Sequence, residues 1–225
     1  MSMNIVEKID EHVKIQHVLV SVSDKRGLDT FIPQLVEINP QIKIFSTGGT
    51  FNAIKEILGE TAGTLLSQVS EYTGQPETQG GLVKTLDFKI YLGLLTETYN
   101  DSHQGDLKRT GAVAIDMVVG NLYPFKETIA KPDVTVEKAR GNIDIGGPCM
   151  IRASAKNFIR VASVVDPGDY EAIISDLKKN SGAISLDLRF QLAQKAFDHT
   201  AVYDRTIADF LASKSSADVS GCYSL

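Results

Sequence analysis

The segment Ile42-Lys43-Ile44-Phe45-Ser46-Thr47-Gly48-Gly49-Thr50 decides the fold class. It reads as a β run, then a turn rich in hydroxyls and glycine, then a helix with Phe51, Ile54, Ile57 and Leu58 among its apolar positions. The same order stands just before it. His17-Val-Leu-Val-Ser21 is a strand, Ser23-Asp24-Lys25-Arg26-Gly27 is a polar turn, and Leu28, Phe31, Leu35 and Ile38 follow at helical spacing. Two strand-turn-helix units in succession predict an α/β protein with a mostly parallel sheet flanked by helices.

Parallel sheets bind ligands beyond the carboxyl ends of their strands, which is where both turns fall. Glycines at 48 and 49 let backbone approach an anion, the hydroxyls of Ser46 and Thr47 add donors, and the following helix presents unpaired N–H groups. No Gly-Lys-Ser/Thr ending follows, so the pattern suits a monophosphate and is not a P-loop. An ordinary strand-to-helix turn explains Thr-Gly-Gly-Thr equally well; Lys25 on the first turn tips the balance toward an anion site.

Further along, Ile115-Asp-Met-Val-Val-Gly-Asn121 has the apolar run of a buried parallel strand ending in a polar side chain. Tyr91-Leu-Gly-Leu-Leu95 and Val161-Ala-Ser-Val-Val165 read as two more strands, and Thr96 to Gly105 as a surface excursion. Between them, Ser67 to Gly81 is a long polar loop ending in Gly80-Gly81-Leu82-Val83-Lys84-Thr85-Leu86. Glycines ahead of Lys84 and Thr85 suggest backbone close to a ligand, against the plainer reading of a solvated loop lysine. Thr135 is placed to cap a helix to Arg140, and Ser185 opens a long helical pattern through Leu211. Residues 1–16 read as an amino-terminal arm or helix with Ile5, Ile9 and Val13 at four-residue intervals, residues 17–211 as the main domain and 212–225 as a frayed tail.

The most chemical stretch is Asn142-Ile-Asp-Ile-Gly-Gly-Pro-Cys-Met-Ile-Arg-Ala-Ser-Ala-Lys156-Asn157. Asp144 alternates with two isoleucines, and a carboxylate drawn into such a setting needs a cation or N–H donors. Lys156, arriving on a helix of small residues, is the nearest cation. An Asp144–Lys156 pair would serve acid-base chemistry or a structural salt bridge; the sequence leaves both open. Tyr123, after Asn121, either donates its phenolic proton or packs.

Composition narrows the classes. The 225 residues carry a net charge of -5, which argues against a general nucleic-acid or anionic-membrane surface. No apolar run approaches the roughly 18 residues of a membrane helix and no signal-peptide core opens the chain, so the expectation is a cytoplasmic protein. Cys149 and Cys222 offer no disulfide framework, and the four histidines form no ligand pair at helical spacing, so no metal is expected.

Taken together, Val22-Ser23-Asp24-Lys25, Ser46-Thr47-Gly48-Gly49-Thr50, Val83-Lys84-Thr85-Leu86, Asn121-Leu-Tyr-Pro-Phe125, Asn142-Ile-Asp-Ile-Gly-Gly147, Ala155-Lys156-Asn157 and Lys195-Ala-Phe197 resemble the IMP cyclohydrolase domain of the bifunctional purine-biosynthesis enzyme, in order and spacing over residues 17–211. The resemblance implies a methylglyoxal-synthase-like fold with a helical carboxy-terminal addition. It implies a cyclic amidine hydrolase activity: closure of formylaminoimidazole carboxamide ribotide (FAICAR) to IMP with loss of water. It also implies Lys84, Tyr123, Asp144 and Lys156 as catalytic groups. Ser23, Lys25, Ser46, Thr47, Gly48 and Gly49 would hold the 5′-phosphate, with Thr85 and Asn121 positioning the substrate. No metal or organic cofactor is implied. A separate AICAR transformylase is the expected protein partner, and nucleic acid and membrane are not.

Two departures stand out. Members of the family usually carry arginine where this chain has Leu82, and His-Pro-Lys-Ile-His where it reads Asp87-Phe88-Lys89-Ile90-Tyr91. A lost arginine-phosphate contact is worth about 1.5 to 3 kcal/mol, and Lys89 or Lys43 is a candidate substitute. The departures leave a second reading, a purine-nucleotide-sensing module on the same fold. A methylglyoxal synthase would share the phosphate turn but not explain Asn121-Leu-Tyr-Pro, Asp144 or Lys156.

Overall fold

A computed structural model of the chain describes residues 5–75 and 85–224. Among the described residues, five parallel strands form the central sheet: β2 (His17–Val22), β3 (Lys43–Ser46), β4 (Leu66–Gln68), β5 (Met117–Asn121) and β6 (Ala162–Val164), in the spatial order β4-β3-β2-β5-β6. The two units read from sequence are both present. Helix α1 (Leu28–Ile38) follows β2 and α2 (Gly48–Leu58) follows β3. From β2 the chain first builds outward through β3 and β4, then returns to lay β5 against the other side of β2, with Val22 opposite Asn121. That reversal is a topological switch point, and the crevice it opens lies at the carboxyl ends of β2 and β5.

The remaining helices cover the two faces. They are α3 (Ala62–Leu65), α4 (Val69–Thr73), α5 (Phe88–Leu95), α6 (Asp101–Thr110), α7 (Phe125–Ile129), α8 (Val136–Arg140), α9 (Gly146–Lys156), α10 (Tyr170–Lys179), α11 (Leu186–Ala212) and α12 (Ser216–Ser220). One core layer joins Val18, Val20, Met117 and Val164 of the sheet to Phe31, Leu35, Ile54, Ile173 and Leu177. On the opposite face Leu19 and Val118 meet Ile90, Leu94 and Met150, while Leu122, Phe125, Ile151, Tyr203 and Phe210 form a third cluster beside the crevice. Alternate residues of β2 thus bury on opposite faces, as a strand covered on both sides requires. No helix among the described residues is long and apolar enough to cross a membrane.

The structure corrects several expectations. Residues 91–95 are helical: Asp87 accepts the Lys89 amide at 2.7 Å and caps α5, whose Ile90 and Leu94, one turn apart, are fully buried. Asp87, one of the departures from the family pattern, thereby has a structural use. The excursion after Thr96 contains α6, capped by Asn100. At the amino terminus, His12–Lys14 (β1) is a strand, paired antiparallel with Ala183–Ser185 (β7). The carboxy-terminal segment is not frayed over its described part, because Ser215 and Asp218 form a reciprocal capping box on α12 and Tyr223 donates its hydroxyl to Glu137.

Two buried arginines lock the end of the molecule away from the crevice. Arg160 bonds Asp116 at 2.9 Å and the carbonyls of Gly93, Thr96 and Ile115. Arg189, with no exposed surface, donates to the carbonyls of Asp10, Glu11, Phe158, Ile159 and Ile184, tying the amino-terminal arm to α11.

Candidate active site

The crevice at the switch point holds a cavity of about 400 Å³. Its floor is the ends of β2 and β5, and its walls are the turn into α2, Thr85 and the segment leading into α9. Asn121 builds the first part. Its side-chain oxygen accepts the amides of Ser23 and Asp24, each at 2.8 Å, and its side-chain nitrogen donates to Asp24 O at 3.0 Å. An asparagine at the end of β5 thus folds the β2–α1 turn into place, and that turn carries Lys25.

The α2 turn faces it. Gly48 has φ +48, a conformation that costs most side chains, and Gly49 lies against Lys25: a side chain there would begin 4.0 Å from the lysine Nζ. Thr47 is the extended residue before α2, with its hydroxyl 3.2 Å from that of Ser21. Below the cavity, the Thr50 hydroxyl bonds both the amide and the carbonyl of Val22. The result is a helix N-terminus, a glycine pair and one ammonium converging on one spot, the physical requirements of a phosphate seat.

Asp144 lines the same cavity. The Gly147 amide donates to its Oδ1 at 2.9 Å. Burial pushes its carboxyl above the ordinary carboxylate range, and the Gly147 and Tyr123 amides pull in the other direction without overcoming that effect. The glycines around it are steric necessities. A Cβ on Gly147 would stand 2.4 Å from Asp144 Oδ2, and one on Gly146 would stand 2.8 Å from the Thr85 hydroxyl. Tyr123 is 54% exposed at the lip, where this cavity adjoins a wider groove of about 740 Å³.

Of the residues singled out in the sequence, the cavity lining gathers Ser23, Lys25, Thr47, Gly48, Gly49, Thr85, Asn121, Tyr123 and Asp144. Ser46 is not among them: it is fully buried in β3 and its hydroxyl donates to Val20 O at 2.7 Å, so it supports the turn from beneath. Lys156 is not among them either. It is exposed on the last turn of α9, about 16 Å of helix from the end where Asp144 sits, so the expected Asp144–Lys156 pair within one chain is replaced by amide donors. Lys84 and Leu82 lie outside the described residues. Neither candidate substitute for the arginine reaches the cavity, since Lys43 bonds Thr64 O and Lys89 bonds Tyr72 O. Sequence reasoning missed Ser21, Thr50 and Met150 in and around the cavity, and the contact of Tyr203 with Asp144 behind it. Tyr203 gave no local signal, lying 59 residues away on another element.

Residues 27–149, over half of the chain, match the MGS-like domain family, and the chain belongs to that family. Residues 154–224 match a second family, the AICARFT/IMPCHase bienzyme. In keeping with this, the chain is 45% identical over 206 residues to the bifunctional purine biosynthesis protein PurH of Chlorobium phaeobacteroides and 46% identical over 197 residues to PurH of Bacillus subtilis. The alignments cover 92% and 88% of this chain but only 38% and 37% of those proteins. Among solved structures, the crystal structure of ForH superposes with a TM-score of 0.74 at 29% identity, covering 88% of this chain and 99% of that one.

Proposed function

We propose that the chain is an IMP cyclohydrolase that closes FAICAR to IMP. The observation that carries this reading is one cavity lined both by the Lys25, Thr47 and Gly48-Gly49 anion seat and by the partly buried Asp144 carboxylate. A nucleoside monophosphate held by Lys25, Thr47 and the Gly48-Gly49 amides would lay its base toward Asp144 and Tyr123.

Both reacting groups belong to one molecule, so the protein's first task is to hold them in the near-attack geometry. The carboxamide nitrogen attacks the formyl carbon, forming the C–N bond as the formyl C=O becomes an alkoxide. Asp144, raised in proton affinity by burial, takes the proton from that nitrogen. The alkoxide takes up a proton, and the resulting hydroxyl departs as water with a second proton from Tyr123 or solvent, while the formamido nitrogen gives up its own proton to solvent and forms the C=N bond that completes the aromatic ring of IMP. Lys84 is proposed to polarise the formyl oxygen and Thr85 to orient the carboxamide. Lys156 is proposed as a catalytic group only on the family resemblance. The formylated substrate would come from an AICAR transformylase.

Purified chain incubated with FAICAR should yield IMP, and Lys25→Ala should raise KM on the order of tenfold while Lys84→Ala lowers kcat. Tight binding of IMP by calorimetry with no turnover of FAICAR would replace this reading with that of a nucleotide sensor.

A further inference from the structure

We infer that Tyr203, on the carboxy-terminal helix α11, is a positioning residue that sets the Asp144 carboxylate for its chemistry. The inference rests on the role proposed above for Asp144.

The Tyr203 hydroxyl accepts the backbone amide of Asp144 at 2.8 Å and faces the carbonyl of Asn142 at 3.4 Å, so it bridges both sides of the peptide segment that carries the carboxylate. The residue is 8% exposed. Its ring meets Phe125 edge to face at 6.2 Å, and Phe125 in turn meets Phe210 at 5.9 Å. Phe125 directly follows the Tyr123-Pro124 turn, and the Phe125 amide donates to Tyr123 O. One side chain therefore holds the Asp144 backbone through its hydroxyl and, through its ring, packs on Phe125 at the end of the turn that carries Tyr123. Tyr203 works alongside other ties: the Asn142 and Ile143 amides bond the carbonyls of Ala139 and Arg140, and the Gly147 and Tyr123 amides act on the carboxylate. Of these, Tyr203 is the side chain that reaches the Asp144 amide from α11.

Placement in the chain adds to the case. Tyr203 belongs to residues 154–224, which match the bienzyme family, and lies outside residues 27–149, which match the MGS-like domain. The carboxy-terminal helix thus supplies the brace, while the Thr47-Gly48-Gly49 part of the phosphate seat lies within the MGS-like match. A loosened segment would let water reach Asp144 and remove part of the burial that raises its proton affinity.

The test compares Tyr203→Phe, Asp144→Asn and Phe210→Leu with the parent chain for IMP formation across pH, with thermal melting as the fold check. Tyr203→Phe keeps the ring and should lower kcat about tenfold, leave KM for FAICAR within twofold, and move the acid limb of the kcat profile down toward the ordinary carboxylate range. Phe210→Leu loosens the same aromatic cluster without touching Asp144 and should lower the melting temperature but leave the acid limb in place. A Tyr203→Phe kcat within twofold of the parent, while Asp144→Asn is inactive, overturns the inference and spares the role of Asp144. An equal acid-limb shift in Phe210→Leu also overturns it. If Asp144→Asn turns over like the parent, the role of Asp144 falls and the brace falls with it.

Discussion

The side-chain oxygen of Asn121 accepts the backbone amide of Ser23 at 2.8 Å, joining the ends of the two parallel strands between which the order of strand addition reverses. The Asp24 amide donates to the same oxygen, so one acceptor holds two successive amides. A residue expected to position substrate therefore shapes the turn that carries Lys25. Asn121→Ala would leave two amides without their acceptor, each worth roughly 1 kcal/mol in net terms. The expected outcome is a KM for FAICAR raised about tenfold with a smaller change in kcat, measured by steady-state kinetics. A kcat that collapses at unchanged KM would instead place Asn121 on the reacting atoms.

Gly147 is held to glycine by the carboxylate beside it. An added methyl meets Asp144 Oδ2 at 2.4 Å and Leu122 Cδ2 at 2.7 Å, so both side chains must shift to admit it. Gly147→Ala is expected to cost about 1–3 kcal/mol of stability as an overpacked site. Activity should fall by roughly a hundredfold, the scale on which a displacement of about 1 Å acts. Denaturant unfolding together with the IMP assay checks both figures.

Much of this was legible in the chain itself. Strand β5 ends in Asn121 and the turns after β2 and β3 converge, because apolar runs bounded by polar turns have few alternatives in a parallel sheet. Local patterns also carried the caps at Thr135 and Ser185, whose hydroxyls accept the Lys138 and Leu188 amides. Failures arose where short range is not enough. The apolar residues 90–95 satisfy either period, and the helix is settled by Asp87 at its start and by the close approach of Gly93 to the Val113 carbonyl. Asp144 finds its donors in backbone amides and not in Lys156, and this was open to sequence reasoning: eleven helical residues from Gly146 to Lys156 put the lysine about 16 Å from the end where Asp144 sits. Ser46 had the right chemistry on the wrong side of its strand.

Asp144 also has a stability signature. Its folded pKa is raised, so its favourable contribution to stability is complete below the unfolded carboxylate value and is lost as pH rises through the folded one. At neutral pH the ionised form is a burden on the fold. Asp144→Asn should therefore melt at the same temperature as the parent or higher at pH 7, with the difference shrinking as pH falls toward 4. A variant that melts lower at pH 7 would show that the carboxylate stabilises the fold.

Arg189 tests the far end of the molecule. Each buried carbonyl abandoned by Arg189→Met costs roughly 1–3 kcal/mol, so the loss should be on the order of 3 kcal/mol or more. Because the guanidinium holds the carbonyls of Asp10 and Glu11, hydrogen exchange should rise first in residues 12–14 and 183–185. Exchange that rises uniformly would show that the arm is not a separate unit.

The most direct test of the central claim is the rate of IMP formation from FAICAR by the parent chain and by Asp144→Asn under saturating substrate. A folded variant that binds FAICAR as the parent does but turns over at least a hundredfold more slowly is the predicted result, in line with the 10²–10⁴-fold that a positioned acid-base group supplies. A parent chain that makes no IMP, or a variant that matches it, would contradict the account.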